Sequence, residues 1–160
     1  MLRFEHVSLS YGSQQILDDL SFEIGEGHVY GFLGPNGAGK STTMNMMTGC
    51  LSATEGSIRI DGYDIFEQPQ QAKKRIGYLP EHPPLYLAET PVEYLTFVGE
   101  AKGLRRQELN RKIQEVLSLT KLDPMKNRRI SALSKGYQQR VGIAQALLSQ
   151  PRLLICDEPT

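Results

Sequence analysis

The sequence predicts an α/β fold that carries a helical insertion. Short apolar patterns typical of strands lie near both ends of the chain, and patterns typical of amphipathic helices are gathered between them. A glycine-rich loop follows one predicted strand and precedes one predicted helix, which makes a strand-loop-helix unit. The chain has 160 residues, enough for one domain with a single hydrophobic core.

The predicted strands are short and mainly apolar. Apolar residues alternate over 2–9 and recur over 16–24, which predicts a strand pair followed by a turn at 25–27. The remaining strand candidates are residues 29–33, 57–60, 76–79 and 153–156. Pro80 ends the candidate at 76–79, since proline cannot donate a hydrogen bond to a strand ladder.

The helical patterns have recognisable ends and faces. Helices are predicted over residues 40–48, from Thr90 onward, over 109–120 and over about 136–149. Thr90 is the expected N-cap of the second helix because Pro91 follows it and Glu93 lies in the first turn. The polar face of the third helix is predicted to carry Arg111, Lys112 and Glu115.

Charge and composition exclude several classes of protein. Eighteen Lys and Arg balance eighteen Asp and Glu, which disfavours a globally basic nucleic-acid-binding protein. Between Lys102 and Arg140, eleven basic residues stand against three acidic ones; this net charge of +8 indicates either a solvated face or a surface for a polyphosphate, a partner or anionic lipid. Apolar runs are far shorter than the ~18 residues that a membrane-spanning helix needs. With two cysteines and no signal-peptide pattern, we expect a cytosolic protein.

The strongest motif is a glycine-rich loop with the spacing G-x-x-x-x-G-K-[ST]. Its residues are Gly34, Pro35, Asn36, Gly37, Ala38, Gly39, Lys40, Ser41 and Thr42. Glycines allow consecutive backbone N–H groups to turn toward phosphate oxygens, and the following helix adds its positive N-terminal end. Lys40 supplies a charge for the terminal phosphates, and the Ser41 hydroxyl is a ligand for Mg²⁺. The loop predicts a triphosphate site.

Two acids follow the last predicted strand. Asp157 and Glu158 come directly after Leu153–Cys156, at the carboxyl edge of a predicted parallel sheet, where α/β folds bind their ligands. We expect Asp157 to hold Mg²⁺ through water and Glu158 to be the base that polarises the attacking water. Together with the loop, these acids predict hydrolysis of the bound triphosphate.

A third motif, Leu-Ser-Lys-Gly-Tyr-Gln over residues 133–138, lies between the loop and the acids. With all three motifs, essentially the whole sequence resembles the nucleotide-binding domain of ABC transporters: 34–42 matches Walker A, 153–158 matches Walker B, and 133–138 is similar to the LSGGQ signature. The resemblance implies an α/β P-loop NTPase (RecA-like) core with an N-terminal antiparallel β-subdomain and a helical insertion.

The resemblance also implies a domain organisation. Residues 1–86 and 150–160 are expected to form the β-rich ATPase core, and residues 87–149 the helical subdomain that includes the signature. Because the family continues beyond Walker B, we expect a truncated domain that hydrolyses ATP poorly and leaves residues 153–156 at an exposed sheet edge.

The same resemblance assigns roles to further residues. Tyr11 matches an aromatic residue that stacks on adenine, the alternative being a tyrosine of the hairpin core. Glu81 stands where the family has the Q-loop glutamine; a carboxylate there approaches Mg²⁺ more strongly but adds negative charge beside the terminal phosphate. The signature residues expected to contact ATP bound to a second, head-to-tail ABC subunit are Ser134, Lys135, Gly136, Tyr137 and Gln138.

The function implied by the resemblance is an ATP-binding subunit that uses ATP and Mg²⁺ and couples hydrolysis to transport through a separate membrane permease. The Tyr-Leu-Pro-Glu and Leu-Ser-Lys-Gly-Tyr variants look like the ATPase subunits of bacterial ABC-2-type exporters, including the gliding-motility and multidrug branch. We expect the permease to dock near residues 81–94 and on the basic insertion, which would hold this cytoplasmic subunit at the inner face of the membrane.

Two other classes remain open from the sequence. A soluble ABC-type ATPase that acts on nucleic acid or ribosomes would share all three motifs, and the +8 segment is compatible with it, although nucleic acid is not the expected partner. A P-loop kinase or GTPase would explain the loop but leaves the signature without a role.

Overall fold

The computed structural model describes residues 2–35 and 37–157. Along these residues the elements are β1 (Leu2–Tyr11), β2 (Gln14–Ile24), α1 (Lys40–Met47), β3 (Glu55–Ile60), β4 (Tyr63–Asp64), α2 (Pro69–Lys73), β5 (Ile76–Leu79), α3 (Pro91–Ala101), α4 (Arg106–Leu119), α5 (Lys135–Leu147) and β6 (Leu153–Cys156). Short 3-10 turns lie at Asp123–Met125 and Ile130–Ala132. This mixture of strands and helices confirms the predicted α/β class.

The chain divides into two compact units, Met1–Ile76 and Gly77–Thr160. The first unit is built on an antiparallel sheet with the strand order β2-β1-β3-β4. Phe4 at its centre is paired with Phe22 on one side and Ile58 on the other, and it is 2 % exposed. The predicted strand pair over 2–9 and 16–24 is therefore confirmed, with β1 and β2 as a hairpin.

Helix α1 follows the glycine-rich loop in the first unit. Its inner face is formed by Thr43, Met46 and Met47, all of which are buried. The helix ends where Gly49 takes a positive φ of 67° and donates its N–H to Met46 O at 3.0 Å. Burial of this face fixes the direction in which the N-terminus of α1 points within the unit.

The second unit is a helical cluster with a small sheet. Helix α3 begins with the capping box predicted at Thr90, whose hydroxyl accepts from Glu93 N while the Glu93 carboxylate accepts from Thr90 N. The helices pack around one hydrophobic core, formed by Tyr94, Leu95, Leu109, Ile113, Val116, Leu117, Leu122, Ile130, Leu133, Val141, Ala144 and Leu148. Each large aliphatic side chain buried there contributes about 1.5–3 kcal/mol, which makes this core the main source of the unit's stability.

Strands β5 and β6 form a two-stranded sheet in the second unit. Asp157 N, directly after β6, donates to Leu79 O at the end of β5 over 2.9 Å. The carboxyl ends of the two strands are therefore neighbours, which is the arrangement of parallel strands. The residues that follow each strand emerge at the same edge of this sheet.

The structure differs from the sequence-based predictions at three places. Residues 29–33 form no strand: Val29 and Leu33 are almost fully exposed, and no strand in the described part of the chain pairs with them. The apolar sequence of β6 is typical of a strand buried on both faces, yet Leu154 is 45 % exposed, and β5 is the one hydrogen-bonded neighbour of β6 among the described residues. The difference concerns this buried pattern and not the sheet edge expected above.

The third difference is Lys112, predicted on the polar face of α4 but buried in the structure. Its Nζ lies 2.9 Å from Glu108 Oε1, one turn earlier on the same helix. The aliphatic stem of a lysine can lie along apolar neighbours while a carboxylate compensates the charge, so a helical period alone misplaces such a residue.

Helices of the described chain are all too short or too polar to cross a bilayer.

Candidate functional site

The glycine-rich loop has the geometry expected of a phosphate cradle, within the first unit. Gly37 and Gly39 take positive φ angles of 85° and 82°, and Gly39 is the N-cap of α1. The positive φ favours glycine at this position, and a Cβ on Gly39 would also lie 2.8 Å from Leu17 Cδ2, the end of a flexible side chain. Asn36 lies outside the described residues.

Lys40 is folded over its own loop. Its Nζ donates to Gly34 O at 2.7 Å and to Pro35 O at 2.8 Å, while Ala38 N donates to Pro35 O at 3.2 Å and closes the turn. The lysine thus adds its charge at the mouth of the loop, where a point charge is needed beside terminal phosphates.

The start of α1 leaves backbone donors available. The first helical hydrogen bond runs from Thr43 N to Gly39 O at 2.8 Å, so the N–H groups of Lys40, Ser41 and Thr42 precede the ladder. No acidic residue lies in the first turn, so the positive end of the helix is not neutralised locally. Of the nearby hydroxyls, Thr43 is buried and donates to Gly39 O, Thr42 is half-buried, and Ser41 is exposed.

Tyr11 ends β1 beside the hairpin turn and is 58 % exposed. The hairpin core, formed around Phe4, therefore does not bury it, and its ring presents a free face to solvent. This observation removes the alternative in which Tyr11 is a core residue of the hairpin.

The predicted acids belong to the second unit. Asp157 follows β6 and Glu81 follows β5 by two residues, so both emerge at the shared carboxyl edge of this sheet. The Glu81 carboxylate is 56 % exposed, and its Oε1 lies 3.6 Å from His82 Nδ1. Among residues 2–35 and 37–157, no cluster of three His, Cys, Asp or Glu side chains is close enough to hold a metal ion by itself. Glu158 lies outside the described residues.

Cys156, next to Asp157, has a structural role. Burial raises the pKa of the Cys156 thiol, which keeps the side chain neutral within β6. It therefore behaves as a small apolar residue of the strand and not as a metal-binding thiolate.

The signature motif forms the start of α5. Ser134 is the N-cap, and its hydroxyl accepts from Tyr137 N at 3.4 Å. Lys135 and Gly136, at the first two helical positions, are exposed. The Tyr137 ring packs against the hydrophobic core on one side, and the Arg140 guanidinium lies 5.2 Å from its centroid.

Gln138 is half-buried, unlike the exposed Lys135 and Gly136. Its Nε2 donates to Ile130 O at 3.0 Å and to Leu133 O at 3.3 Å, both within its own chain. The sequence analysis groups Gln138 with the contacts to the partner's nucleotide, and that assignment stays a prediction. What the sequence did not indicate is the turn at Ile130–Ala132, which supplies one of the two acceptors.

Comparison with known proteins gives a consistent result. Residues 17–160 match the family model for ABC transporters. The linearmycin resistance ATP-binding protein LnrL of Bacillus subtilis is 39 % identical over 160 residues, which cover 100 % of this chain and 51 % of that protein. The bacitracin transport ATP-binding protein BcrA of Bacillus licheniformis is 40 % identical over 150 residues, 94 % of this chain and 48 % of that protein. The chain spans about half the length of the curated relatives it matches.

Solved structures agree. An ATP-binding subunit of an ABC transporter superposes with a TM-score of 0.88 at 34 % identity, covering 99 % of this chain and 66 % of that one. The dimeric post-hydrolysis state of the ATP-binding cassette MJ0796, bound to ADP and Pi, gives a TM-score of 0.84 at 28 % identity over 100 % of this chain and 75 % of that one. These matches confirm the predicted P-loop NTPase fold, and the chain belongs to the ATP-binding domains of the ABC transporter family.

Proposed function

We propose that the full-length protein is the ATP-binding subunit of an ABC exporter, which couples ATP binding and hydrolysis to transport through a separate permease. The observation that carries this proposal is the loop geometry: Lys40 Nζ lies on the Gly34 and Pro35 carbonyls, directly before a helix N-terminus without a neutralising acid. The names of similar proteins, which include bacitracin transport, linearmycin resistance and Nod factor export, support an export function.

In this proposal the loop binds the triphosphate. Backbone N–H groups of residues 37–42 donate to the phosphate oxygens, and Lys40 moves from its two carbonyls to the terminal phosphates. Tyr11 stacks on the adenine, an interaction worth about 1–3 kcal/mol for a base on an aromatic ring.

The chemistry of the three predicted metal ligands suits Mg²⁺. Ser41 offers a hydroxyl oxygen, and Asp157 and Glu81 offer carboxylates; oxygen ligands of this kind are those that Mg²⁺ prefers. The ion would neutralise charge on the terminal phosphates. In our proposal Asp157 holds it through water, and the Glu81 carboxylate approaches it where the family has an amide.

Glu158 is proposed as the general base. It directly follows Asp157 in the sequence. A carboxylate there can orient the attacking water and accept its proton while the loop holds the leaving diphosphate.

The signature implies a second subunit. We propose a head-to-tail dimer in which Ser134, Lys135 and Gly136 face the ATP bound by the partner's loop. The exposure of Lys135 and Gly136, and the absence of an acid in the first turn of α5, support this role. Lys135, in the place of a glycine, adds a cation beside the partner's phosphates. The two-part organisation, with core residues 1–86 and 150–160 and helical residues 87–149, belongs to the same proposal.

The proposed permease surface lies in the second unit. Tyr86, Leu87 and Phe97 are each about half exposed, and the Tyr86 ring contacts Phe97 at a centroid distance of 5.1 Å. Exposed aromatic clusters of this kind are typical of docking surfaces. Arg105 and Arg106 add positive charge on the basic insertion. Docking there would hold the subunit at the cytoplasmic face of the membrane.

The soluble, nucleic-acid-directed alternative is not favoured, because the similar proteins are named as transporter subunits. Salt-sensitive binding of RNA or DNA by the purified protein would support that alternative instead.

The test uses the full-length protein with its permease. K40A should abolish ATP binding or hydrolysis, and E158Q should bind ATP and dimerise without turnover. Normal hydrolysis by both variants would refute the site. For the docking surface, charge reversal at Arg105 and Arg106 combined with polar substitution of Tyr86 and Leu87 should abolish co-purification with the permease, and unchanged co-purification would refute it.

A further inference from the structure

Gln138 carries an inference that deepens the proposed function and rests on it. The sequence-based prediction places this residue among the contacts to the partner's nucleotide, although the five-residue signature LSGGQ, aligned from Leu133, ends at Tyr137 and Gln138 follows it. Its carboxamide has two N–H donors, and both are engaged: Nε2 lies 3.0 Å from Ile130 O and 3.3 Å from Leu133 O. The two N–H donors are therefore used within the chain itself, on the turn that leads into the helix N-terminus.

The two acceptors belong to the turn that leads into α5. Ile130–Ala132 is a 3-10 turn, and Leu133 N donates to Ile130 O at 3.1 Å. Ile130 and Leu133 are both buried in the helical core, so neither carbonyl can turn freely toward water. Ser134 follows immediately as the N-cap. The hydrogen bonds of the Gln138 carboxamide therefore join the two ends of the segment 130–138, which includes the main chain of Ser134.

The turn is fixed on its other side by a second segment. Ile130 N donates to Glu89 O at 2.8 Å, and Ser131 N donates to Leu87 O at 2.9 Å. Ile130 therefore uses its N–H toward Glu89 and its carbonyl toward Gln138. The N-terminus of α5 is joined through one buried residue to the segment that precedes α3.

We propose that Gln138 is a positioning residue, which acts within its own chain to hold Ser134, Lys135 and Gly136 in the orientation that meets the partner's triphosphate. Removal of the two hydrogen bonds frees the turn while it leaves the exposed contacting groups chemically unchanged. Nucleotide-driven dimerisation then weakens, because the turn must be ordered again in each association event.

The main test compares Q138E with Q139E in the full-length protein carrying E158Q, which removes turnover. Gln139 is the half-exposed neighbour and receives the same change in charge. In Q138E an ionised carboxylate cannot donate and faces two carbonyl oxygens, whereas a protonated carboxyl donates once. ATP-driven dimerisation of Q138E should be about tenfold or more weaker at about pH 8, and the defect should become smaller toward pH 6, since the two carbonyls favour the protonated carboxyl. Q139E should follow the parent at both pH values.

A second variant and a second readout complete the test. Q138M has a side chain of similar length but no hydrogen-bond donor, so it should weaken dimerisation equally at both pH values. This variant separates the loss of the two hydrogen bonds from the effect of an added charge. Hydrogen exchange in the nucleotide-free protein should be faster at the Leu133 amide in Q138E and Q138M than in the parent and Q139E.

The outcomes separate the inference from the proposed function. Two results would overturn the positioning role. Weaker dimerisation with unchanged hydrogen exchange in the nucleotide-free variants would indicate a direct contact between Gln138 and the nucleotide. Dimerisation of Q138E and Q138M equal to that of the parent would indicate that Gln138 has no role in dimerisation. Failure of the parent to bind ATP or to dimerise would instead overturn the proposed function, and the exchange readout would still decide whether Gln138 holds the turn.

Discussion

Replacement of Gly39 by alanine tests the loop geometry most directly. Gly39 has a φ of 82°, and an added Cβ would lie 2.8 Å from Leu17 Cδ2. The left-handed conformation costs about 1–2 kcal/mol for a residue with a Cβ. Overlap with a neighbour adds about 1–3 kcal/mol, toward the lower value here because Leu17 Cδ2 is the end of a flexible side chain. We expect G39A to lose about 2–3 kcal/mol of unfolding free energy.

Gly37 provides the matched control. It has a similar φ of 85°, but an added Cβ meets no atom within 4 Å. G37A should therefore lose only the conformational part, about 1–2 kcal/mol. Urea unfolding of the full-length variants, followed by circular dichroism, measures the difference, and titration with a fluorescent ATP analogue measures the effect on the site.

A double variant isolates the contact with Leu17. In an L17A background the overlap disappears, so the additional effect of G39A should fall to that of G37A. Wild-type stability and wild-type nucleotide affinity in G39A would refute the reasoning, since they would mean that the loop does not require this backbone conformation. Equal losses in G39A and G37A, unaffected by L17A, would show that the overlap with Leu17 is relieved without cost.

Two further predictions concern charge and thiol chemistry. The hydrogen bond and charge of Lys112 lower the pKa of Glu108, so their stabilisation is present above the unfolded pKa and is lost as the pH falls through the lower folded value. Urea midpoints of E108Q should therefore be below wild type at about pH 7 and converge with it in acid. E115Q weakens two exposed contacts, the pair with Arg111 and a 3.4 Å hydrogen bond from Gln150, and should change little. The pairing of Glu108 with Lys112 would be contradicted if E108Q and wild type had equal urea midpoints at about pH 7, if their difference persisted in acid, or if E115Q had an equal effect. Since burial raises the pKa of Cys156, iodoacetamide should alkylate this thiol much more slowly than the exposed Cys50 in the folded protein and at a similar rate in urea. Mass spectrometry measures both rates. Equal rates in the folded protein would contradict the partial burial of Cys156.

Features that depend on neighbouring residues were predictable from the sequence. The capping box of α3 needs only Thr90 and Glu93 at the right spacing, and hydrogen bonds from Thr90 hold the pKa of Glu93 below its usual value, as such a cap requires. The start of α1 was predictable for the same reason, because Gly39 and the residues after it determine that turn locally.

Features that depend on residues distant in the chain were not predictable from the sequence. Residues 29–33 have the composition of a strand, but a strand forms only where another segment supplies its hydrogen bonds, and composition does not state whether one is present. Lys112 shows the opposite error: its charge predicts exposure, yet one carboxylate a turn away and an apolar path for its stem are enough to bury it.

The signature illustrates why a motif is a weaker guide to individual side chains than to a site. Ser134, Lys135 and Gly136 are placed by the start of a helix, and any sequence that begins a helix there exposes those positions. Gln138 lies one turn further on, on the face that turns back to the Ile130 and Leu133 carbonyls. The helical period separates residues of one motif onto different faces, so a motif read as a linear string combines groups that contact a ligand with groups that hold the contacting residues in place. In our proposal the change of role falls between Gly136 and Gln138.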